Sequence, residues 1–97
     1  MPRSRKRLVI PGSIHIRGKK VPVRLDSTLW AKGIAGLAER CPRKIRIATD
    51  QPLDEREDTF VHEILHHLFE GYPISDRTEE RVVRHLTPAL LEVLRQL

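Results

Sequence analysis

Aromatic residues, cysteines and long apolar runs are all scarce in this 97-residue sequence. Aromatic side chains make up only 4% of the chain, so its core must be built from Ile, Leu, Val and Ala. The single cysteine, Cys41, excludes an internal disulfide and fits a reducing compartment. The apolar run Leu8 to Ile10 ends at Pro11 and is too short for a signal peptide or a membrane span. We therefore expect a cytoplasmic protein that does not insert into a membrane.

Positive charge is abundant, with a formal net charge of +5, and part of it is concentrated at the N-terminus. Residues 1–7 are predicted to form a disordered basic arm that contains Arg3, Arg5, Lys6 and Arg7. Such an arm could contact nucleic acid weakly or only keep the protein soluble, because no nucleic-acid-binding module is recognisable. Residues 8–97 are predicted to form a single domain, whose thin core would benefit from a metal that links two of its elements.

The first half of the chain has the alternation typical of β-strands. The segments "SIHI" and "VPVRL" flank a turn at Gly18, and "IAGLAER" and "KIRIAT" flank a second turn at "CPRK". Pro22 lacks a ladder donor, which favours an edge position or an outward-facing backbone nitrogen in its strand. These patterns predict a small, twisted antiparallel sheet made of two hairpins.

The second half has the apolar spacing of two helices. In the first, an acidic start precedes a helical apolar series that runs from Phe60 to Phe69 and ends at Gly71. The second opens at Ser75 or Asp76, and we expect a kink or a short break at Pro88. Its apolar positions are Val82, Val83, Leu86, Leu90, Val93, Leu94 and Leu97. The predicted fold class is α+β, with the sheet packed on both helices.

The segment "HEILHH" on the first helix contains the pattern H-E-x-x-H. His62 and His66 are four residues apart, so a helix projects both imidazoles from one face and one turn apart, where they can share a tetrahedral zinc ion. In this pattern Glu63 is the general base that acts on a zinc-bound water. The next residue, His67, points about 100° away from His66, which favours packing or an indirect contact over ligation.

A catalytic zinc takes three protein ligands, so a third must come from elsewhere in the chain. The metzincin pattern requires Gly and His at positions 69 and 72, and Phe69 and Tyr72 exclude it. The other common choice is a carboxylate of the second helix. Glu79 opens the apolar stripe of that helix, whereas Glu80 projects about 100° away from it. We therefore predict Glu79 as the third ligand and keep Glu80 as the alternative.

The segments "TFVHEILHHLF" and "RTEERVVRHLTPALLEVL" resemble the small gluzincin-type metallopeptidases, the minigluzincins and the ImmA/IrrE-like proteins frequent in phages and mobile elements. The resemblance covers roughly residues 45–94. It implies His62, His66 and Glu79 as zinc ligands and Glu63 as the catalytic base. It also implies that "GIAGLAER" is an edge strand against which an extended peptide lies.

Two functions from different classes follow from these patterns. The first is zinc-dependent hydrolysis of a peptide bond in a protein or peptide substrate. The second is a non-catalytic phage or mobile-element module that keeps zinc for stability and binds nucleic acid or a protein partner. A third interpretation, a packed helical unit without metal, is separated from both by metal analysis.

Overall fold

A computed structural model describes residues 7–97, so Arg3, Arg5 and Lys6 of the predicted basic arm lie outside the described residues. The chain forms four strands, one short 3-10 turn at Trp30–Lys32 and two helices. In chain order they are β1 (Ser13–Ile16), β2 (Lys19–Asp26), β3 (Gly36–Arg40), β4 (Arg43–Ala48), α1 (Leu53–Leu68) and α2 (Asp76–Leu94). The predicted α+β fold, with a small sheet packed on two helices, is confirmed.

The sheet contains both predicted hairpins, β1–β2 and β3–β4, each antiparallel. The hairpins join through β2 and β4, which run parallel with Val23 opposite Ile45 and Leu25 opposite Ile47. The strand order is β1-β2-β4-β3, so the sheet is mixed, whereas the sequence predicted antiparallel pairing throughout. The reason is the long connection of residues 27–35 between β2 and β3, which leaves the position next to β2 open. Strand β3 therefore forms the outer edge, and β4 fills the position between β2 and β3.

Pro22 lies in the central strand β2 without removing a bond from the ladder. The N–H of Val23 donates to the carbonyl of Gly12 on the β1 side. Because successive backbone nitrogens alternate in direction, the nitrogen of Pro22 faces β4. The pairing with β4 begins only at Val23, so the missing donor falls just before that ladder.

The core lies between the sheet and α1 and continues between the two helices. Alternate residues of β2 and β4 point to the same side and meet Phe60 of α1, forming a cluster of Val21, Val23, Ile45, Ile47 and Phe60. A second cluster joins α1 to α2 and consists of Val61, Leu65, Val83 and Leu91. Helix α1 is therefore held between the sheet and α2.

Helix α2 begins where the sequence predicts, because the Ser75 hydroxyl accepts a hydrogen bond from the N–H of Thr78 at 3.1 Å. The helix then runs through Pro88 to Leu94 without the predicted break. Pro88 lies on the exposed side, where the carbonyl that loses its partner can bond to water. No helix within residues 7–97 is both long and apolar enough to cross a membrane.

Candidate metal centre

Two imidazoles of α1 converge one helical turn apart. The Nε2 atoms of His62 and His66 lie 3.2 Å from each other, and the rings meet edge to face with centroids 4.9 Å apart. Both side chains are only about one-fifth exposed, at 22% and 18%. Burial is the main cause that lowers the pKa of His62, outweighing the opposing charge of Glu80. The neutral imidazole that metal binding requires is thereby favoured at His62.

Glu80, which directly follows the first turn of α2, directs both carboxylate oxygens at these two nitrogens. Its Oε2 lies 2.8 Å from Nε2 of His66, and its Oε1 lies 3.3 Å from Nε2 of His62. The candidate ligand atoms of the three residues all lie within 4.8 Å of one another. Burial raises the pKa of Glu80, but the hydrogen bond from Arg84 and the nearby His62 and His66 outweigh it and lower the pKa overall. The carboxylate form that binds metals is therefore favoured.

Glu79 contacts the same imidazole from the other side. This residue is buried, and its Oε2 lies 2.7 Å from Nδ1 of His66 and 3.8 Å from a guanidinium nitrogen of Arg40. Because a carboxylate accepts a hydrogen bond, its position at Nδ1 favours the tautomer with the ring proton on Nδ1. The lone pair of Nε2 then points towards His62 and Glu80. The structure thus brings Glu80 to the two Nε2 atoms and places Glu79, which the sequence favours as the ligand, at Nδ1 of His66.

The chemistry and spacing of these atoms fit zinc. Two imidazole nitrogens and one carboxylate oxygen are a common ligand set of catalytic zinc sites. In a tetrahedral site with bonds of about 2.0–2.1 Å, neighbouring ligand atoms lie roughly 3.3 Å apart. The two Nε2 atoms lie 3.2 Å apart, and Glu80 meets them through different oxygens, Oε2 at 2.8 Å from His66 and Oε1 at 3.3 Å from His62. One ligand atom from each of the three residues lies within 4.8 Å of the others, so the three side chains would hold the ion after a small rearrangement.

Glu63 is buried beside this cluster, with 7% of its surface exposed. It lines a cavity of about 310 Å³ together with Ala35, Gly36, Asp58, Thr59, His62, Glu80 and Arg84. Burial raises its pKa to about 7, with a smaller lowering by His66 and a smaller raising by Glu80. A carboxyl group with such a pKa can accept and release a proton near neutral pH.

The free edge of the sheet borders this cavity, because Gly36 of the edge strand β3 lines it. The N–H of Ala48 donates to the carbonyl of Ala35 at 2.8 Å, which fixes the direction of the backbone groups along β3. By alternation, Gly36 and Ala38 point their N–H and C=O groups away from β4. Among residues 7–97 nothing hydrogen-bonds to these outward groups. An extended peptide could pair with them while passing Glu63.

Other residues considered from the sequence lie outside the cavity. His67 is buried with Nε2 3.3 Å from the carbonyl of Lys44, so it packs α1 on the sheet as predicted. Tyr72 is 60% exposed and its ring contacts Phe69 at 5.9 Å. Arg84 lines the cavity without having been predicted, and its Nε donates to Oε1 of Glu80 at 2.8 Å. Its position four residues after an acid was the available signal.

The chain matches no protein-family model, no curated protein and no solved structure. The functional interpretation therefore depends on the geometry of the site.

Proposed function

We propose that this protein is a zinc-dependent peptidase of the gluzincin type, in which His62, His66 and Glu80 hold the metal and Glu63 is the general base. The observation that carries the proposal is the convergence of both Nε2 atoms with the carboxylate of Glu80, beside a buried acid in the same cavity. A zinc ion bound there would supply an electrophile that activates water and polarises a carbonyl group.

The residues of the chain account for the remaining requirements of peptide hydrolysis. The carboxylate of Glu63 faces the cavity, where it can take a proton from water and deliver it to the departing amine nitrogen. Glu79 keeps the ring of His66 oriented through Nδ1. The outward N–H and C=O groups of β3 would bind the substrate main chain as an added strand, so the substrate is an extended protein or peptide segment.

The test combines metal analysis with a hydrolysis assay on the full chain. Zinc content is measured after purification, and cleavage of casein and of a fluorogenic peptide library is followed with and without a chelator. We expect one zinc per chain and chelator-sensitive cleavage. Glu63→Gln should retain zinc and lose activity on the order of 10²- to 10⁴-fold, because the proton acceptor is gone.

Glu55→Gln is the matched control, since Glu55 is an exposed acid on α1 outside the cavity. It should leave both zinc content and cleavage unchanged. Activity that survives Glu63→Gln would contradict the assigned base. Bound zinc without any hydrolysis would instead support a non-catalytic module in which the metal links α1 to α2, and absence of zinc binding would contradict both functions.

A further inference from the structure

The parallel pairing of β2 with β4 brings both hairpin turns to the same end of the sheet. Each of these strands is the second strand of its hairpin, so each begins directly after its turn. Because the two run parallel, the turn before Lys19 and the turn before Arg43 lie side by side. We call residues 17–20 and 39–44 the hairpin tips.

The hairpin tips carry a concentrated positive charge. They contain Arg17, Lys19, Lys20, Arg40, Arg43 and Lys44. Residues 7–97 contain 15 Lys and Arg and 13 Asp and Glu, so their formal net charge is +2. The six cations of the tips are more than this net charge. Glu39 is the one acid within the tips. The rest of the described chain therefore carries a net negative charge, and the molecule is electrically polarised towards this end.

Contacts show that the two tips form one surface. Arg17 and Lys19 of the first tip and Arg43 of the second line the same cavity of about 130 Å³, which His67 and Glu70 of the helical layer also line. Arg17 additionally donates to the carbonyl of Leu68 at 2.8 Å, which anchors the first tip at the C-terminal end of α1.

Most of this charge is not neutralised by neighbouring acids. Glu70 pairs with Arg43 at 2.7 Å, and Arg40 lies about 4 Å from Glu70 and Glu79. Within residues 7–97, no carboxylate comes within ion-pair distance of the other four cations, which are Arg17, Lys19, Lys20 and Lys44. Arg17, Lys19 and Lys20 are exposed, and Lys44 is half-buried. Four cations on adjacent turns are thus available to an anionic partner.

The geometry points to the hairpin tips as a binding surface for the phosphate backbone of duplex nucleic acid. Phosphate contacts need only Lys, Arg and backbone donors, and they provide binding without sequence preference. A protein partner would call for apolar or aromatic anchors, and the tips contain neither aromatic residues nor any Leu, Ile, Val or Met. The lack of aromatic rings in the tips likewise disfavours single strands, whose bases stack on such rings.

This surface is separate from the candidate metal centre. The zinc-site cavity lies at the Gly36 end of β3, whereas the tips begin at the other end of that strand. Of the tip residues, Arg40 alone contacts an acid of the centre, Glu79, at 3.8 Å. Nucleic-acid binding is therefore expected to be independent of zinc and of Glu63, and its failure would leave the proposed peptidase intact.

The test measures fluorescence anisotropy of a labelled 20-base-pair DNA duplex of mixed sequence, titrated with the full chain between 50 and 200 mM salt. The variant Lys19→Gln, Lys20→Gln, Lys44→Gln removes three charges from the tips. The matched control, Lys32→Gln, Arg77→Gln, Arg81→Gln, removes three exposed charges elsewhere that have no ion pair within residues 7–97. A third variant, Arg3→Gln, Arg5→Gln, Lys6→Gln, measures the contribution of the N-terminal cluster. Circular dichroism verifies that each variant is folded.

We expect the tip variant to bind roughly tenfold or more weakly at 50 mM salt, with the slope of log K against log salt reduced by about 3. The matched control should change affinity much less, and chelation of zinc should change nothing. Equal losses in the tip variant and the matched control would overturn the inference, because they would indicate a general charge effect. Loss only in the N-terminal variant would also overturn it, as would tighter binding of polyglutamate than of the duplex.

Discussion

Two neighbouring carboxylates reach His66 from opposite sides of its ring. Glu79 meets Nδ1 at 2.7 Å, and Glu80 meets Nε2 at 2.8 Å. A carboxylate at Nε2 of His66, the nitrogen that faces His62, can bind the metal directly. A carboxylate at Nδ1 acts on the metal only through the imidazole ring. The two acids are adjacent in sequence and chemically identical, so exchanging either for glutamine gives a matched pair of variants.

Glu80→Gln should weaken zinc binding more than Glu79→Gln does. Loss of a carboxylate that orients a ligating histidine lowers metal affinity by about 10- to 100-fold, and loss of a direct ligand should exceed that range. Zinc affinity is measured by competition with a chromophoric chelator. Arg84→Gln is the control, because it removes the hydrogen bond to Glu80 but leaves the three ligands in place. A larger loss in Glu79→Gln would reverse the assignment.

The sequence located this pair of acids and favoured Glu79 over Glu80 as the third ligand. A helical wheel correctly predicts that Glu79 lies on the buried side of α2, and the structure shows it buried. A wheel contains neither the angle at which α2 crosses α1 nor the reach of a glutamate side chain. Those two quantities bring Glu80 to the Nε2 atoms. The histidine spacing, by contrast, depends only on local helix geometry and was predictable.

The edge strand β3 approaches α1 unusually closely at Gly36. A methyl group on Gly36 would lie inside van der Waals contact with Cγ2 of Thr59, 3.1 Å from the carbonyl of Arg46 and 3.3 Å from Cγ of Glu63. Thr59 is buried and hydrogen-bonded to Gln51, so it cannot move aside freely. Glycine at this position therefore sets the distance between the edge strand and the helix that carries the candidate metal centre.

Gly36→Ala should lower the free energy of unfolding by about 1–3 kcal/mol, since the added methyl overpacks the contact between strand and helix. Urea denaturation measures the change. Gly12→Ala is the control, because a methyl there meets nothing within 4 Å and the backbone is not in the left-handed region. It should be close to neutral.

A second substitution tests the cause. Thr59→Ser removes Cγ2 but keeps the hydroxyl, so in the Gly36→Ala background it should recover part of the lost stability. A double-mutant cycle should then give a favourable coupling energy. Additive losses in the cycle would mean that the strain arises elsewhere.

The sequence predicted the elements better than their assembly. Both hairpins follow from alternation and turn residues, which are local signals. The parallel pairing of β2 with β4 joins residues that are about 20 positions apart, and no local pattern encodes it. Helix α2 shows the same limit, because three of its seven predicted apolar positions, Leu86, Val93 and Leu97, are exposed, whereas Thr87 and Leu91 are buried. A two-layer fold covers one side of that helix, and leftover apolar residues remain in solvent.

One buried carboxylate joins three distant parts of the whole molecule. Glu57 of α1 accepts hydrogen bonds from the N–H of Leu8 at 2.9 Å, from Arg7 at 2.9 Å and from Arg95 at 3.1 Å. Its side chain is only 3% exposed. Burial alone would raise the pKa of Glu57, but these three donors outweigh it and hold the pKa below its ordinary value of 4.5. The ionised form therefore stabilises the folded chain.

Glu57 should make folding stability depend on pH in the acidic range. Because its pKa is lower in the folded chain, its contribution is complete above the unfolded pKa and is lost as pH falls through the folded pKa. We expect the free energy of unfolding of the wild type to decline from about pH 5 downwards. Glu57→Gln should show a shallower decline and lose about 1–3 kcal/mol at pH 7, since Arg95 keeps a buried charge without its partner.

Urea denaturation at a series of pH values gives both curves. Glu92→Gln is the control, because Glu92 is an exposed acid of α2 whose carboxylate has no ion pair within residues 7–97. Its curve should follow the wild type. Parallel curves for Glu57→Gln and the wild type would show that other groups cause the acid sensitivity.

The shared contact of Arg7 and Arg95 with Glu57 also has a consequence for how the domain could be combined with others. These two contacts hold both ends of the described chain at one corner of the molecule. Glu57 and Leu68 are about 16 Å apart along α1, and the first hairpin tip is anchored beside Leu68. Neighbouring ends favour insertion of a domain into a host loop and circular permutation. A partner fused directly before residue 7 or soon after Arg95 would accordingly start from the same corner, away from the hairpin tips.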